Sequence, residues 1–211
     1  MSDVTTVHLV RHGEVENPEG VLYGRLPGFV LSKAGLSMAD AAARVLAPRD
    51  IVLVWSSPLE RAVQTAEPIA AAHDLEVTTD ERLVEPWNIF EGLTFGVGDG
   101  SLLRPAHWAQ LRNPFRPSWG EPYADIAARV LSVLAEARDK AVGREAVLVS
   151  HQLPVWVTRR ALEGRRLWHR PDRRMCALAS VTSVVYRDDE VQRIEYAEPA
   201  GAAGRQRTKS A

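Results

Sequence analysis

Val7-His8-Leu9-Val10 runs directly into Arg11-His12-Gly13-Glu14. The first half is continuously apolar with β-branched residues, as in a buried strand, and Gly13 closes it. Arg11 and His12 therefore stand side by side at a strand's mouth. Behind them, Gly13 lets the backbone come close to a ligand. Chemistry on a phosphate needs these parts: a nucleophile, a cation and a close backbone. Three other segments carry complementary groups: Ser56-Ser57-Pro58-Leu59-Glu60-Arg61, Arg82-Leu83-Val84-Glu85 and Val149-Ser150-His151.

Working outward, strands alternate with helices. The pattern predicts strands at 6–10, 51–55, 75–78 and 146–149. Helices are expected over 32–47 with Ser32 as N-cap, and from Ser57-Pro58 to about His73, where Pro68 should kink or shorten the helix. Two more are expected over 122–141 and 154–162. Residues 178–187 and 190–196 read as a hairpin turned at Asp188-Asp189. This order argues for an α/β three-layer sandwich, with a mainly parallel central sheet and helices on both faces. Ligands in such folds bind beyond the carboxyl ends of strands. Arg11-His12 and Ser150-His151 lie at such ends, and Arg61 sits on the first turn of a helix just after one.

A single domain is expected over 1–198. Within it, 86–121 forms an active-site excursion or lid, rich in proline and glycine, with a short helix near 104–112. Its aromatics, Trp87, Phe90, Phe95, Trp108, Phe115 and Trp119 with Tyr123, read either as a lid over an apolar leaving group or as a small core under a loop. Residues 199–211 are small and polar, and a disordered tail is expected.

The chain's 211 residues carry a formal net charge of −1, which gives no general pull toward nucleic acid or an anionic membrane. No apolar run reaches the roughly 18 residues of a membrane helix. One cysteine, Cys176, cannot form an intramolecular disulfide. With no basic and apolar leader, the expectation is a cytoplasmic protein. No zinc-type His/Cys cluster, Asp-rich magnesium loop or glycine-rich phosphate loop is present, so neither metal nor cofactor is expected.

Taken together the motifs resemble the histidine phosphatase superfamily, the phosphoglycerate-mutase-like branch one. Leu9-Val10-Arg11-His12-Gly13-Glu14 is similar to its opening signature. Asn17-Pro18-Glu19-Gly20, Tyr23-Gly24 and Leu31-Ser32-Lys33-Ala34-Gly35 follow its second stretch, and Ser56 to Ala66 its arginine helix. Glu85 with Glu91-Gly92-Leu93 resembles its acidic segment, Trp119-Gly120-Glu121 the element before a helix, and Val149-Ser150-His151 its last strand end. Pro122 and Gln152 stand where the family has serine and glycine. The likeness covers roughly 6–165 in order.

The resemblance implies a phosphoglycerate-mutase-like fold and a role for each residue. His12 would attack phosphorus through a neutral imidazole nitrogen, forming a phosphohistidine. Arg11 and Arg61 would fork onto phosphoryl oxygens, joined by His151 and Asn17. An arginine near a helix N-terminus opposes the helix dipole, so Arg61 there is explained by an anion. Glu85 would protonate the leaving alkoxide, and burial near Trp87, Ile89 and Phe90 would raise its pKa; Glu14, Glu81 and Glu91 are rivals. Tyr23, Gly24 and Gln152 complete a substrate-binding set. The basic run Arg165 to Arg174 reads first as a solvated face, and second as a contact to another phosphate or carboxylate of a substrate.

The implied activity is that of a metal-independent phosphomonoester phosphatase acting on a small phosphorylated substrate. A mutase on the same site and a phospho-ligand-binding protein with little turnover are the alternatives. The sequence names neither the substrate nor the oligomeric state, a homodimer included.

Overall fold

The computed structural model describes residues 4–94 and 118–206. Six strands form one sheet: β1 (Val4–Arg11), β2 (Ile51–Ser56), β3 (Val77–Thr79), β4 (Glu145–Ser150), β5 (Val181–Arg187) and β6 (Glu190–Ala197). Their order is β3-β2-β4-β1-β5-β6. The four strands from β3 to β1 pair in parallel, and β5 and β6 add an antiparallel edge. Asp188, with φ 57°, turns the hairpin between the last two, as the Asp-Asp pair predicts.

Helices cover both faces, giving the three layers expected. Alternation along the strands sorts the side chains. Val10, Val147 and Val149 pack with α1 (Lys33–Leu46) and α2 (Glu60–Ala71). Val7, Leu9, Ala146 and Leu148 face α3 (Tyr123–Lys140) and α4 (Gln152–Leu162). Val7, Leu9, Val147 and Leu148 are fully buried. Trimming such a leucine to alanine costs about 2–5 kcal/mol, so this core fixes the strand ends rigidly.

Ser32 caps α1, its Oγ accepting from Gly35 N at 3.0 Å. Gly35 is a poor helix former in that first turn, but its lack of a Cβ has a purpose. A side chain there would drive into the carbonyl of Glu14, and one on Gly13 would come within 2.6 Å of the Gly35 carbonyl oxygen. The two glycines let the loop after β1 lie flat on α1.

Three expectations are corrected. The second helix starts at Glu60 with Leu59 as N-cap and no side-chain cap, two residues beyond Ser57, whose hydroxyl accepts from Leu59 N at 3.4 Å and meets His151; Pro68 neither ends nor shortens it before Ala71. The tail is not wholly disordered: Gly201–Gln206 form α5, and Gly204 O accepts from Leu178 N at 3.3 Å. The helix expected near 104–112 lies outside the described residues, as do Phe95, Trp108 and Phe115.

Candidate active site

β1 and β4 are neighbours in register, with Arg11 opposite Ser150. His12 N then donates to Ser150 O at 3.0 Å, and Ser57 N to Val149 O at 2.9 Å. Three adjacent parallel strands thus deliver Arg11-His12, Ser57 and His151 to one edge. β3 ends beside them and leads through a 3-10 turn, Glu81–Leu83, to Glu85. Ser150 Oγ ties that turn down by donating to Leu83 O at 2.6 Å.

His12 is 2 % exposed, and its Nδ1 lies 2.7 Å from Gly13 O. A carbonyl can only accept, so Nδ1 carries the proton and Nε2 keeps a lone pair. Burial pulls the His12 pKa well below the usual imidazole value; Arg61 and Arg11 pull the same way, and the Gly13 hydrogen bond opposes them. His12 is therefore neutral at physiological pH.

Arg11 and Arg61 are each 1 % exposed. Arg11 donates through Nη1 to Cys176 O at 2.7 Å, and Arg61 through Nη2 to Gly24 O at 2.6 Å. Both Nε atoms are buried without a hydrogen-bond partner, as is His151 Nδ1. Leaving such donors unmet costs roughly 1–3 kcal/mol each, and one phosphoryl group would satisfy them. The His151 ring lies 5.1 Å from that of His12, and its Nε2 is 2.8 Å from Ser57 Oγ. Burial, followed by Arg61, His12 and Arg11, holds His151 well below the usual imidazole value, so it too is neutral in this arrangement.

Glu85 Oε2 lies 3.6 Å from His151 Nδ1. Burial raises the Glu85 carboxyl pKa, against opposing pulls from Arg61, Arg174, Arg11 and Arg129. Among the rivals, Glu14 accepts from Ser32 Oγ, Glu91 accepts from Asn88 N, and Glu81 is exposed in the 3-10 turn.

Tyr23, Gly24 and Gln152 line the cleft with Arg11, His12 and Glu85. The Tyr23 ring lies 4.7 Å from the Arg61 guanidinium carbon. Gly24, at φ 40°, presents its carbonyl to Arg61 while Glu91 packs where a Cβ would stand. Asn17 is engaged within its own loop. Its Nδ2 donates to Val21 O at 2.9 Å and its Oδ1 accepts from Val21 N at 3.1 Å. Both polar ends of the Asn17 amide thus close its own loop on Val21, which lines the cleft.

Sequence reasoning held Arg174 only within the second reading of the basic run, and missed Glu121 and Arg25. Arg174 is the one member of the basic run among the arginines lining the cleft. Glu121 also lines it, gripped by Arg129 through two bonds of 2.8 and 3.0 Å, and Arg25 Nε donates to the Glu85 carbonyl at 2.5 Å. The alternation of exposed arginines with Asp172 in the basic run hid Arg174. Trp87, Trp119 and Tyr123 line the cleft, whereas Phe90 is buried. Among the described residues no group of three or more His, Cys, Asp or Glu could hold a metal ion.

Strand ends of one sheet thus bring Arg11, His12 and His151 together, and the first turn of α2 adds Arg61, in an α/β protein. The chain belongs to the histidine phosphatase superfamily (branch 1), whose pattern residues 7–198 match. An uncharacterized protein of Mycobacterium tuberculosis (strain ATCC 25618 / H37Rv) is 58 % identical over 200 residues, covering 95 % of this chain and 99 % of that protein. Phosphoserine phosphatase 1 of Hydrogenobacter thermophilus is 31 % identical over 166 residues, covering 74 % and 75 %. The solved mycobacterial glucosyl-3-phosphoglycerate phosphatase superposes with a TM-score of 0.74 at 28 % identity, over 92 % of this chain and 97 % of that one. A phosphoglycerate mutase from Bacillus anthracis, at 20 % identity and TM-score 0.73, shares the fold. A 2,3-bisphosphoglycerate-dependent phosphoglycerate mutase of Thermoplasma acidophilum is 40 % identical over 78 residues, covering 36 % of this chain and 39 % of that protein. Among the described residues no helix is long and apolar enough to cross a membrane.

Proposed function

We propose that the chain is a metal-independent phosphomonoester phosphatase working through a phosphohistidine on His12. The observation that carries this is the Nδ1 bond to Gly13 O, which leaves Nε2 unprotonated between Arg11, Arg61 and His151. Nε2 would attack phosphorus, the N–P bond forming as the P–O bond to the alcohol breaks. Glu85 would give its proton to the departing oxygen. Water would then attack phosphorus, Glu85 would take its proton, and the N–P bond would break to release phosphate. Arg11 and Arg61 would hold the oxygens where charge develops.

Two relatives named as phosphatases, of phosphoserine and of glucosyl-3-phosphoglycerate, support hydrolysis over mutase chemistry. The test is release of inorganic phosphate from p-nitrophenyl phosphate in excess EDTA, with an alkaline quench, in which phosphohistidine survives. Phosphate release with the label trapped on His12 supports the reading. Release without any trapped phosphoenzyme in single turnover, or release that EDTA abolishes, overturns the mechanism. Faster conversion of 3-phosphoglycerate to 2-phosphoglycerate than hydrolysis, with bisphosphoglycerate present, overturns the phosphatase in favour of the mutase.

A further inference from the structure

Arg174 sits in the cleft in a way that phosphoryl transfer does not use. Its Nε donates to His169 Nε2 at 2.9 Å, and its Nη1 to Gln152 Oε1 at 3.1 Å. His169 is itself fixed, its Nδ1 donating to Leu167 O at 2.7 Å. Burial and then Arg174 pull its pKa down to about 4, so His169 accepts from Arg174 as a neutral ring. The guanidinium is thus aimed by two neutral groups. Among the described residues no ion pair joins it to a carboxylate, whereas Arg129, Arg159 and Arg170 are all so paired. A charge held in place and left unbalanced beside a cleft is a recognition device.

Its position says what it would recognise. Arg174 acts electrostatically on Glu85 and stands among the cleft residues Tyr123, Gln152 and Pro171. Arg61 and Arg11 act on both His12 and Glu85, whereas Arg174 acts on Glu85, the residue proposed to protonate the alcohol. Arg174 therefore belongs to the side of the cleft where the alcohol leaves. A phosphoryl dianion answers the two charges of Arg11 and Arg61, and in the first step Glu85 is protonated. One positive charge remains, with an Nη1–Nη2 edge whose fork matches two oxygens on one planar group.

We infer that Arg174 forms a second anion subsite for a carboxylate carried on the alcohol part of the phosphomonoester, with Gln152 and His169 as its positioning residues. This rests on the phosphatase reading for the phosphoryl end, but it is tested by binding, which needs no turnover. The probes are 3-phosphoglycerate and glycerol 3-phosphate, which differ in a carboxylate against a hydroxymethyl group, with the full chain carrying His12→Asn to prevent reaction. Titration calorimetry should show the carboxylated ester bound tighter, and Arg174→Gln should shrink the ratio of the two dissociation constants by roughly 10- to 100-fold. Arg174→Lys should restore part of it. A folding defect would weaken both ligands alike and leave the ratio standing.

Equal affinity in the parent protein, or a ratio untouched by Arg174→Gln, overturns the subsite. Tighter binding of propane-1,3-diyl bisphosphate than of 3-phosphoglycerate, lost in Arg174→Gln, overturns the carboxylate in favour of a second phosphate. If the ratio responds as expected while p-nitrophenyl phosphate is not hydrolysed, the subsite stands and the phosphatase reading fails.

Discussion

The two ends of the cleft are built differently. At the phosphoryl end, Arg11, His12 and His151 ride on the tips of adjacent buried strands, and Arg61 on the first turn of α2; all four are at most 2 % exposed. At the other end, Trp87, Trp119 and Arg174 come from irregular segments, and Trp87 is 44 % exposed. The first end is dictated by sheet register, so it can hardly change without unfolding the core. The second hangs on loops, which tolerate substitution and carry specificity. On the proposed mechanism, one end would fix the reaction and the other would choose the substrate.

The largest effect that could break this division is at His12. His12→Ala should lower turnover of p-nitrophenyl phosphate by more than about 10³-fold and abolish the trapped phosphoenzyme, with the fold intact by circular dichroism. Substantial residual turnover would move the nucleophile elsewhere.

Glu85 lies at the boundary, and its variant comes next. Glu85→Gln should reduce kcat/KM by roughly 10²–10⁴-fold for an alkyl phosphate, and by less for p-nitrophenyl phosphate, whose leaving group needs no proton. The pH profile carries the sign. His12 must be neutral, and its pKa is depressed, so the acid limb falls below the ordinary imidazole value. Glu85 must be protonated, and its pKa is raised, so the alkaline limb lies above the ordinary carboxyl value. Glu85→Gln should remove the alkaline limb alone; loss of the acid limb instead would reverse the two roles.

The phosphoryl end was legible because its residues follow strand ends within short motifs. An apolar run fixes where a strand stops, and the next two residues then have little freedom. Ser32 was legible for the same local reason, since its hydroxyl acts three residues away. Arg174 was not. It reaches Gln152 across 22 residues of sequence, and neighbouring Arg170 and Asp172 pair on the surface as solvated charges do. Ser57 was misread because a serine before a proline suits a helix cap. Its hydroxyl accepts a long 3.4 Å bond from Leu59 N, and its shorter bond is to His151, 94 residues away, a tertiary choice that local propensity does not report.

That bond gives a smaller prediction. Ser57→Ala frees the His151 ring without touching its charge or the strand beneath it. The expected loss is about tenfold in kcat/KM, with the pH limbs of His12 and Glu85 unmoved. An effect as large as that of His12→Ala would make Ser57 a direct partner of the reacting group rather than a support.

The smallest effect is expected at Asn17, and it tests where the phosphoryl end stops. The resemblance implies Asn17 on phosphate, yet both ends of its amide close on Val21 within its own loop. Removing two hydrogen bonds from a half-buried loop costs on the order of 1 kcal/mol, hence a drop in Tm of roughly 2–4 °C for a chain of this size. The cleft is touched only through Val21, so Asn17→Ala should change kcat/KM by less than about threefold. A fall of tenfold or more without a change in Tm would mean that the amide leaves Val21 when phosphate binds. The rigid half of the cleft would then include a loop, and the boundary between reaction and specificity would have to be drawn past residue 17.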